Sequence, residues 1–307
     1  MAERLSAIDG SFLRVESASA HMHVAWAATF RVPSGSAPPT RAGVPRIAGT
    51  LRRAALAAGE DLLRPAPASA LNGRIGPRRA LVRHALDLDR VRAAKVREDA
   101  TVNDVCLAVV AGALRRLALA RGDEPHPLKA MVPVDVRTDG EAEALGNRIS
   151  FAFVDLPLDA TTARARLRRI RRATAAFKED GRPAGRETVM AALGMLPDPL
   201  RGVAARTVAG PRAYNLTISN VPGPELPLYM LGAELIEAYP VVPIAQGHAL
   251  SIGIFGYRGR LHFGLYADPG AFAQVHELPS AMDAALGELV PYLGAAAAAV
   301  PAAASAR

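Results

Sequence analysis

The stretch 100-ATVNDVCLAVVAGALRRLALA-120 decides the fold of this chain. Between Val105 and Leu114 it is apolar on every side of a helix, which predicts a helix buried inside a core. Thr101 can cap the first turn, and Asp104, three residues later, completes a variant of the capping box. A helix with no polar face must have other layers of structure packed around it.

Candidate strands and helices for those layers lie on both sides of this helix. Apolar runs bounded by Gly and Pro predict strands, and a tight hairpin with Gly at its turn joins 249–255 to 260–268. Strands alternating with long helices indicate an α/β layered domain with a mixed sheet over residues 71–295. A strand entering a helix is predicted within 79–91, further strands at 128–138, 147–157, 214–220 and 233–239, and further helices at 160–178, 186–209 and 271–294.

The two ends of the chain do not read as complete domains. Residues 1–36 contain a strand candidate, 23–32, and are interpreted as the remnant of an N-terminal domain. Residues 37–70 form a linker that is rich in Pro, Gly and Ser at its start and holds a helix candidate at 46–63. Residues 296–307 are a low-complexity tail, which we expect to be disordered. Strand 23–32 is predicted either to dock on the following domain or to leave an unpaired edge.

Composition excludes several classes of protein. The 307 residues carry a net charge of +8, contributed mainly by arginine, with one cysteine, Cys106. A single cysteine excludes a disulfide framework and favours a reducing cytoplasm. No signal peptide and no membrane span are expected. Interleaved aromatics and nucleic-acid motifs are missing, which argues against nucleic-acid binding, although phosphates or an anionic membrane surface would suit the charge.

Histidine and arginine residues supply the candidate reactive groups. His248, at a strand entry, and His262, expected to be half-exposed, are weak candidates for a general base, and an ordinary strand histidine is the alternative for each. A metal site at the His21–His23 pair is conceivable but lacks further ligands nearby, so no metal site is predicted. Four arginines, Arg164, Arg168, Arg171 and Arg172, line one face of the helix 160–178. They form either a solvated face or an anion-binding surface.

Seven stretches, in order along the chain, resemble the bacterial wax ester synthase/diacylglycerol acyltransferase family. They are 5-LSAIDGSFL-13 with 22-MHV-24, 71-LNGRIGPRR-79, 101-TVNDVCLAVVAGALRR-116, 132-VPVDVR-137, 145-LGNRISFAFVDLP-157, 215-NLTISNVPGP-224 and 247-GHALSIGIFGYRGRLHFGLYADP-269. The resemblance implies a half of the chloramphenicol-acetyltransferase type, with a substrate tunnel between two related domains. It also implies that a fatty acyl group is transferred from acyl-CoA to diacylglycerol or a long-chain alcohol. Acyl-CoA is then a co-substrate, and no other cofactor is implied.

The resemblance also assigns candidate residues to that tunnel. Asn103 and Asp104 form a family signature, and helix capping is the alternative reading for both. In 214-YNLTISNVPGP-224 the core residues are expected to be Leu216, Ile218 and Val221, while Gly223 allows a close backbone approach. The polar residues of this stretch either end a strand or line the tunnel; they are Asn215, Thr217, Ser219 and Asn220.

The chain departs from the family in its catalytic motif. The family's HHxxxDG sequence, whose second histidine is the general base, is absent, and His84 in 83-RHALDLD-89 does not match its spacing. The chain reads as the family's start, a deletion, and then its C-terminal half. Two functions remain open: an acyltransferase by descent, and a non-catalytic relative that binds acyl chains, a lipid surface or a homologous partner. Either is expected in the cytoplasm or peripheral to membranes or lipid droplets.

Overall fold

The computed structural model describes residues 25–31, 65–135, 149–179, 210–224 and 226–290. The elements in chain order are β1 (Ala25–Arg31), β2 (Ala80–Asp87), α1 (Leu88–Glu98), α2 (Val102–Ala120), β3 (Leu128–Asp135), β4 (Ile149–Leu156), α3 (Ala163–Glu179), β5 (Leu216–Val221), β6 (Tyr229–Met230), β7 (Ala233–Val241), β8 (Leu250–Tyr257), β9 (Arg260–Ala267), a 3₁₀ turn (Ala273–His276) and α4 (Leu278–Leu289).

Six of these strands form the central sheet, in the order β2-β9-β8-β5-β3-β4. Strand β5 runs parallel to both β3 and β8, whereas the other neighbouring pairs are antiparallel. The predicted mixed sheet is therefore confirmed. The β8–β9 hairpin turns at Arg258 and Gly259, both at positive φ, as the sequence predicts.

Helix α2 lies in the core, as its sequence predicts. From Asp104 to Leu114 every residue of the helix is buried. It packs between α3 and α4 on one face of the sheet, and at Gly112 an added Cβ would lie 2.8 Å from the Cβ of Ala285. The alternate residues of β8 and β9 that face these helices, such as Ile252 and Phe263, are fully buried with them.

An ion pair between the buried Arg166 and the exposed Glu288 joins α3 to α4. The Arg166 guanidinium, 2% exposed, donates to the carboxylate of Glu288 and, at 3.0 Å, to the carbonyl of Ala160. Arg116 of α2 donates to the same carboxylate at 2.6 Å. One glutamate therefore links all three helices.

A second, smaller sheet covers the opposite face of β8 and β9. Its strand order is β1-β7-β6, and β1 pairs antiparallel with β7. Pro240 of β7 crosses so close to Gly253 and Gly264 that a Cβ at either glycine would collide with it. Strands β8 and β9 thus have both faces covered. Strand β1 docks on β7 with one edge, while its other edge has no partner strand among the described residues.

The structure corrects three details of the sequence analysis. Val221 was expected in the core, but it lies where β5 runs out of the sheet and is 40% exposed. The helix predicted over 271–294 begins only at Leu278, after a 3₁₀ turn, with a proline in its first turn. The strand predicted at 233–239 extends to Val241 and lies in the second sheet. The predicted helices 46–63 and 186–209 lie outside the described residues, and the domain boundaries stay predictions.

Candidate functional site

The first turn of α2 is closed by a complete capping box. Asp104 N–H donates to the Thr101 hydroxyl at 3.1 Å, and the Thr101 N–H donates to the Asp104 carboxylate at 2.8 Å. The second carboxylate oxygen of Asp104 accepts a 2.7 Å bond from the hydroxyl of Thr174 on α3. Both carboxylate oxygens of this buried residue are thus engaged in structure, which confirms the capping prediction and ties α2 to α3.

Asn103 and Asn220 meet where α2 begins and β5 ends. The Asn220 amide donates to the Asn103 side-chain oxygen at 3.3 Å, and both residues are half-buried. The Asn103 amide N–H group and the Asn220 carbonyl oxygen have no partner among the described residues. Two of the residues predicted to line a tunnel therefore lie together, where α2 begins and β5 ends.

Asn215, at the start of β5, makes a different set of contacts. Its side-chain oxygen accepts from the Lys129 N–H at 2.6 Å, and its amide donates to the Pro67 carbonyl at 2.8 Å and to the side-chain oxygen of Asn72. Asn72 donates in turn to the carbonyls of Tyr214 and Gly247. Asn215 is fully buried and anchors the segment that precedes β2.

The other tunnel candidates along β5 differ in burial according to their position in the strand. Thr217 is buried between β3 and β8, and Ser219 is half-buried farther along the strand. Gly223 does allow a close approach, but to the carbonyl of Gly256 and the ring of Phe255, with which a Cβ would collide. Among these residues and Asn220, Asn220 is therefore the one that contacts the start of α2.

His248 is sealed inside the fold. It is 2% exposed, its ring stacks on Tyr214 with centroids 4.0 Å apart, and its Nε2 lies 3.2 Å from the Tyr214 carbonyl oxygen. Burial lowers the pKa of His248 to about 4, although neighbouring backbone carbonyls oppose the shift. At neutral pH this imidazole is uncharged and enclosed.

His262 is also buried, so the prediction that it is half-exposed is wrong. It does face away from Leu261 and Phe263, but the second sheet lies across that face. The ring of Tyr239 contacts it edge-on at 5.2 Å, and the Tyr239 hydroxyl donates to Glu237. Burial lowers the pKa of His262, against the opposing effects of the Tyr257 backbone and Glu237. Glycines at 253 and 264, which mark a close backbone approach on this face, were the signal that could have revealed this burial.

A histidine–carboxylate pair that the sequence analysis set aside lies elsewhere, between β2 and α4. His84 Nε2 is 3.2 Å from a carboxylate oxygen of Asp283, and the His84 side chain is 14% exposed. The sequence could not predict this contact, because the two residues are far apart in the chain and lie on a strand and a helix.

The arginine face of α3 is only partly neutralised. Arg164 and Arg168 share the carboxylate of Glu98, at 2.6 and 3.8 Å, and Arg171 pairs with Asp99. Arg172 is exposed and has no carboxylate partner among the described residues. Arg168, Arg171, Arg172 and Ala175 line an open pocket of about 390 Å³. Among the described residues, four arginines on this face stand against two acidic partners.

The described residues offer few other reactive groups. No cluster of three histidine, cysteine or acidic side chains occurs within the described ranges, and His21 and His23 lie outside them. Cys106 is buried in α2, and that burial raises the pKa of its thiol to about 12. Across the same parts of the chain, no helix combines the length and hydrophobicity needed to cross a bilayer.

Two family models match the chain. The wax ester synthase/diacylglycerol acyltransferase catalytic domain matches residues 34–106, and the C-terminal domain of the same family matches residues 145–290. Together they include the capped start of α2, the arginine face of α3 and both ends of β5.

Curated relatives and solved structures agree with these matches. One probable diacylglycerol O-acyltransferase of Mycobacterium tuberculosis is 34% identical over 232 residues, covering 75% of this chain and 51% of that protein. A second from the same organism is 32% identical over 252 residues, covering 80% and 54%. The wax ester synthase/diacylglycerol acyltransferase of Marinobacter aquaeolei VT8 has a TM-score of 0.56 at 28% identity, covering 73% and 51%. The chain thus spans about half the length of these relatives.

Proposed function

Because this chain belongs to the wax ester synthase/diacylglycerol acyltransferase family, we propose that it binds the acyl-CoA used to acylate diacylglycerol or a long-chain alcohol. The observation that supports this most directly is the 2.7 Å bond from Thr174 to Asp104. It joins the arginine-lined turn of α3 to the first turn of α2, beside Asn103 and Asn220. Groups suited to phosphates and groups suited to an acyl carbonyl therefore lie on adjoining turns.

The chemistry of acyl transfer explains what these groups would do. The alcohol oxygen bonds to the thioester carbon, its proton passes to a base, and the carbonyl oxygen gains negative charge before the CoA sulfur leaves. The side-chain amide of Asn103 can donate a hydrogen bond to such a charge. Arg168, Arg171 and Arg172 suit the phosphates of CoA, because guanidinium groups bind phosphate through paired hydrogen bonds.

Neither buried histidine of the described residues is suited to be the general base for that reaction. A base must come within about 3 Å of the proton it removes, or reach it through one water. His248 and His262 are enclosed, and burial lowers the pKa of both. We therefore place substrate binding in the described residues and assign proton removal to none of the buried histidines.

A second candidate function is transfer by this chain itself, with His84 as the base. It rests on the 3.2 Å contact between His84 and Asp283, because a carboxylate partner can orient an imidazole and stabilise its protonated form. Under this alternative, His84→Ala abolishes turnover while acyl-CoA binding is unchanged.

Titration calorimetry with palmitoyl-CoA, CoA and palmitate tests the binding proposal. We expect Arg172→Ala to weaken palmitoyl-CoA and CoA binding by about tenfold, the loss of one charge-assisted hydrogen bond, and to leave palmitate binding unchanged. Arg169→Ala is the matched control, since Arg169 lies on the same helix but pairs with Asp159 at 2.6 Å. Equal effects of both substitutions, or no binding of any CoA compound, would refute the proposal.

Two further assays separate the alternatives. Cosedimentation with phosphatidylglycerol vesicles tests whether the same arginines bind a membrane surface, in which case Arg172→Ala weakens vesicle binding and calorimetry detects no binding of CoA. Radiolabelled acyl transfer to diacylglycerol or hexadecanol is expected to match a heat-killed control. Turnover that His84→Ala removes would instead establish the second candidate.

A further inference from the structure

Strand β1 has a free edge that is unusually unprotected. β7 pairs with one side of β1, and no other described strand reaches it. Proteins usually block such edges with proline, lysine, a bulge or an inward-pointing charge. The sequence 25-AWAATFR-31 has no proline or lysine, its one charge is at the end, and the extra residue at the bulge belongs to β7.

The side chains of β1 also remain open to solvent on this edge. Trp26, the only tryptophan of the chain, is 38% exposed even though its ring meets Phe255 edge-on at 5.1 Å. Phe30 is only partly buried against the cluster formed by Leu235, Ala238, Phe255 and Tyr257. Trp26 and Phe30 are therefore each covered on one side by neighbouring residues of the fold and exposed to solvent on the other.

The sequence of β1 complements itself under a two-fold axis. If two copies pair antiparallel about Ala28, Trp26 of each lies opposite Phe30 of the other, and Ala27 lies opposite Thr29. Residues 26, 28 and 30 share one face of the strand, so both aromatic pairs form on the face that already contacts Phe255. Aromatic cross-strand pairs of this kind stabilise antiparallel sheets.

We propose that β1 is a homodimerisation strand, and that a second copy of this chain pairs with it antiparallel about Ala28. The two three-stranded sheets then join as one six-stranded sheet, in the order β6-β7-β1-β1-β7-β6. An isologous contact of this kind closes on itself and leaves neither β1 edge free. Because a single strand pair buries less than the ~1,200 Å² typical of stable dimers, we expect monomer and dimer to exchange.

Cysteine crosslinking tests both the dimer and its register. Cys106 is buried and is the only cysteine of the chain, so a cysteine introduced on β1 supplies the one accessible thiol. In the proposed register the two Ala28 Cα atoms lie about 4.5–5.5 Å apart, which suits a disulfide. The two Ala25 Cα atoms lie about 20 Å apart, which excludes one.

We expect Ala28→Cys to form a covalent dimer under mild oxidant at least about tenfold faster than the matched control Ala25→Cys. Sedimentation of the full wild-type chain should show a concentration-dependent dimer. Ala28→Arg places like charges opposite each other and should abolish that dimer with an unchanged circular dichroism spectrum. A wild-type chain that stays monomeric at about 100 μM, well above the Kd of typical weak complexes, overturns the proposal. Equal crosslinking of the two cysteine variants overturns it as well.

Discussion

Acid should destabilise this protein through His248, and the size of the effect follows from its surroundings. His248 is buried against Tyr214, and burial lowers its pKa from 6.5 to about 4. His248 is therefore protonated near pH 6.5 in the unfolded chain, but only near pH 4 in the folded chain. Stability is fully present above pH 6.5, falls as the pH drops towards 4, and changes no further from this group below that. A difference of about 2.5 pKa units corresponds to about 3 kcal/mol.

The variant His248→Phe isolates this contribution. Phenylalanine can keep the stacking on Tyr214 but does not titrate, and the lost hydrogen bond to the Tyr214 carbonyl costs about 1 kcal/mol at every pH. Urea unfolding at several pH values between 7.5 and 4, followed by circular dichroism, gives the free energy of unfolding for each protein. We expect the wild type to lose about 3 kcal/mol more than the variant over this range.

The comparison is internally controlled, because every other titratable group is common to the wild type and His248→Phe. If His248→Phe and wild type lose stability in parallel, His248 is accessible to protons in the folded state, and the reasoning from burial is refuted.

Two further predictions concern packing. Gly264→Ala should lower the free energy of unfolding by about 3 kcal/mol, because the added Cβ would collide with the Pro240 carbonyl. Gly287→Ala in α4 has open space around the added Cβ and should raise the free energy of unfolding by about 0.5–1 kcal/mol. Thermal unfolding of both variants checks the contrast. Glu288→Gln should cost about 2 kcal/mol in urea unfolding, since it leaves the buried Arg166 guanidinium without a carboxylate, and no loss would show that Arg166 is neutralised elsewhere.

The elements that the sequence predicts well are those that carry their own local signal. The sequence of α2 predicts a helix that is apolar on every side and begins with a capping box, and the structure shows a buried helix with that capping box. The β8–β9 hairpin has glycine at its turn, and the turn lies at Arg258 and Gly259. These patterns depend on residues within a few positions of each other, so the sequence alone is enough to read them.

The features that the sequence could not give are contacts between remote segments. Gly264 indicates that some other part of the backbone passes close to His262, but the local sequence does not say that this part is β7. That layer turned an expected half-exposed residue into a buried one. In the same way, Asn72 and Asn215 are 143 positions apart yet share a side-chain hydrogen bond. Pairing patterns within a strand fix which face a residue occupies, but only the tertiary fold decides what covers that face.

Measurements of stability and of catalysis both test the role of the buried histidines. A residue that serves as a base near pH 7 needs a pKa close to that pH and a path to its substrate. His248 has neither while it stacks on Tyr214, and the same burial that removes it from catalysis produces the predicted loss of stability in acid. If an acyl-transfer assay showed turnover that His248→Phe abolished, the stability contribution assigned to His248 should be missing as well. Absent turnover together with the full acid effect would instead place His248 in the framework that holds β5 against the segment before β2. The donors at Asn103 and the arginines of α3 would then act in binding alone.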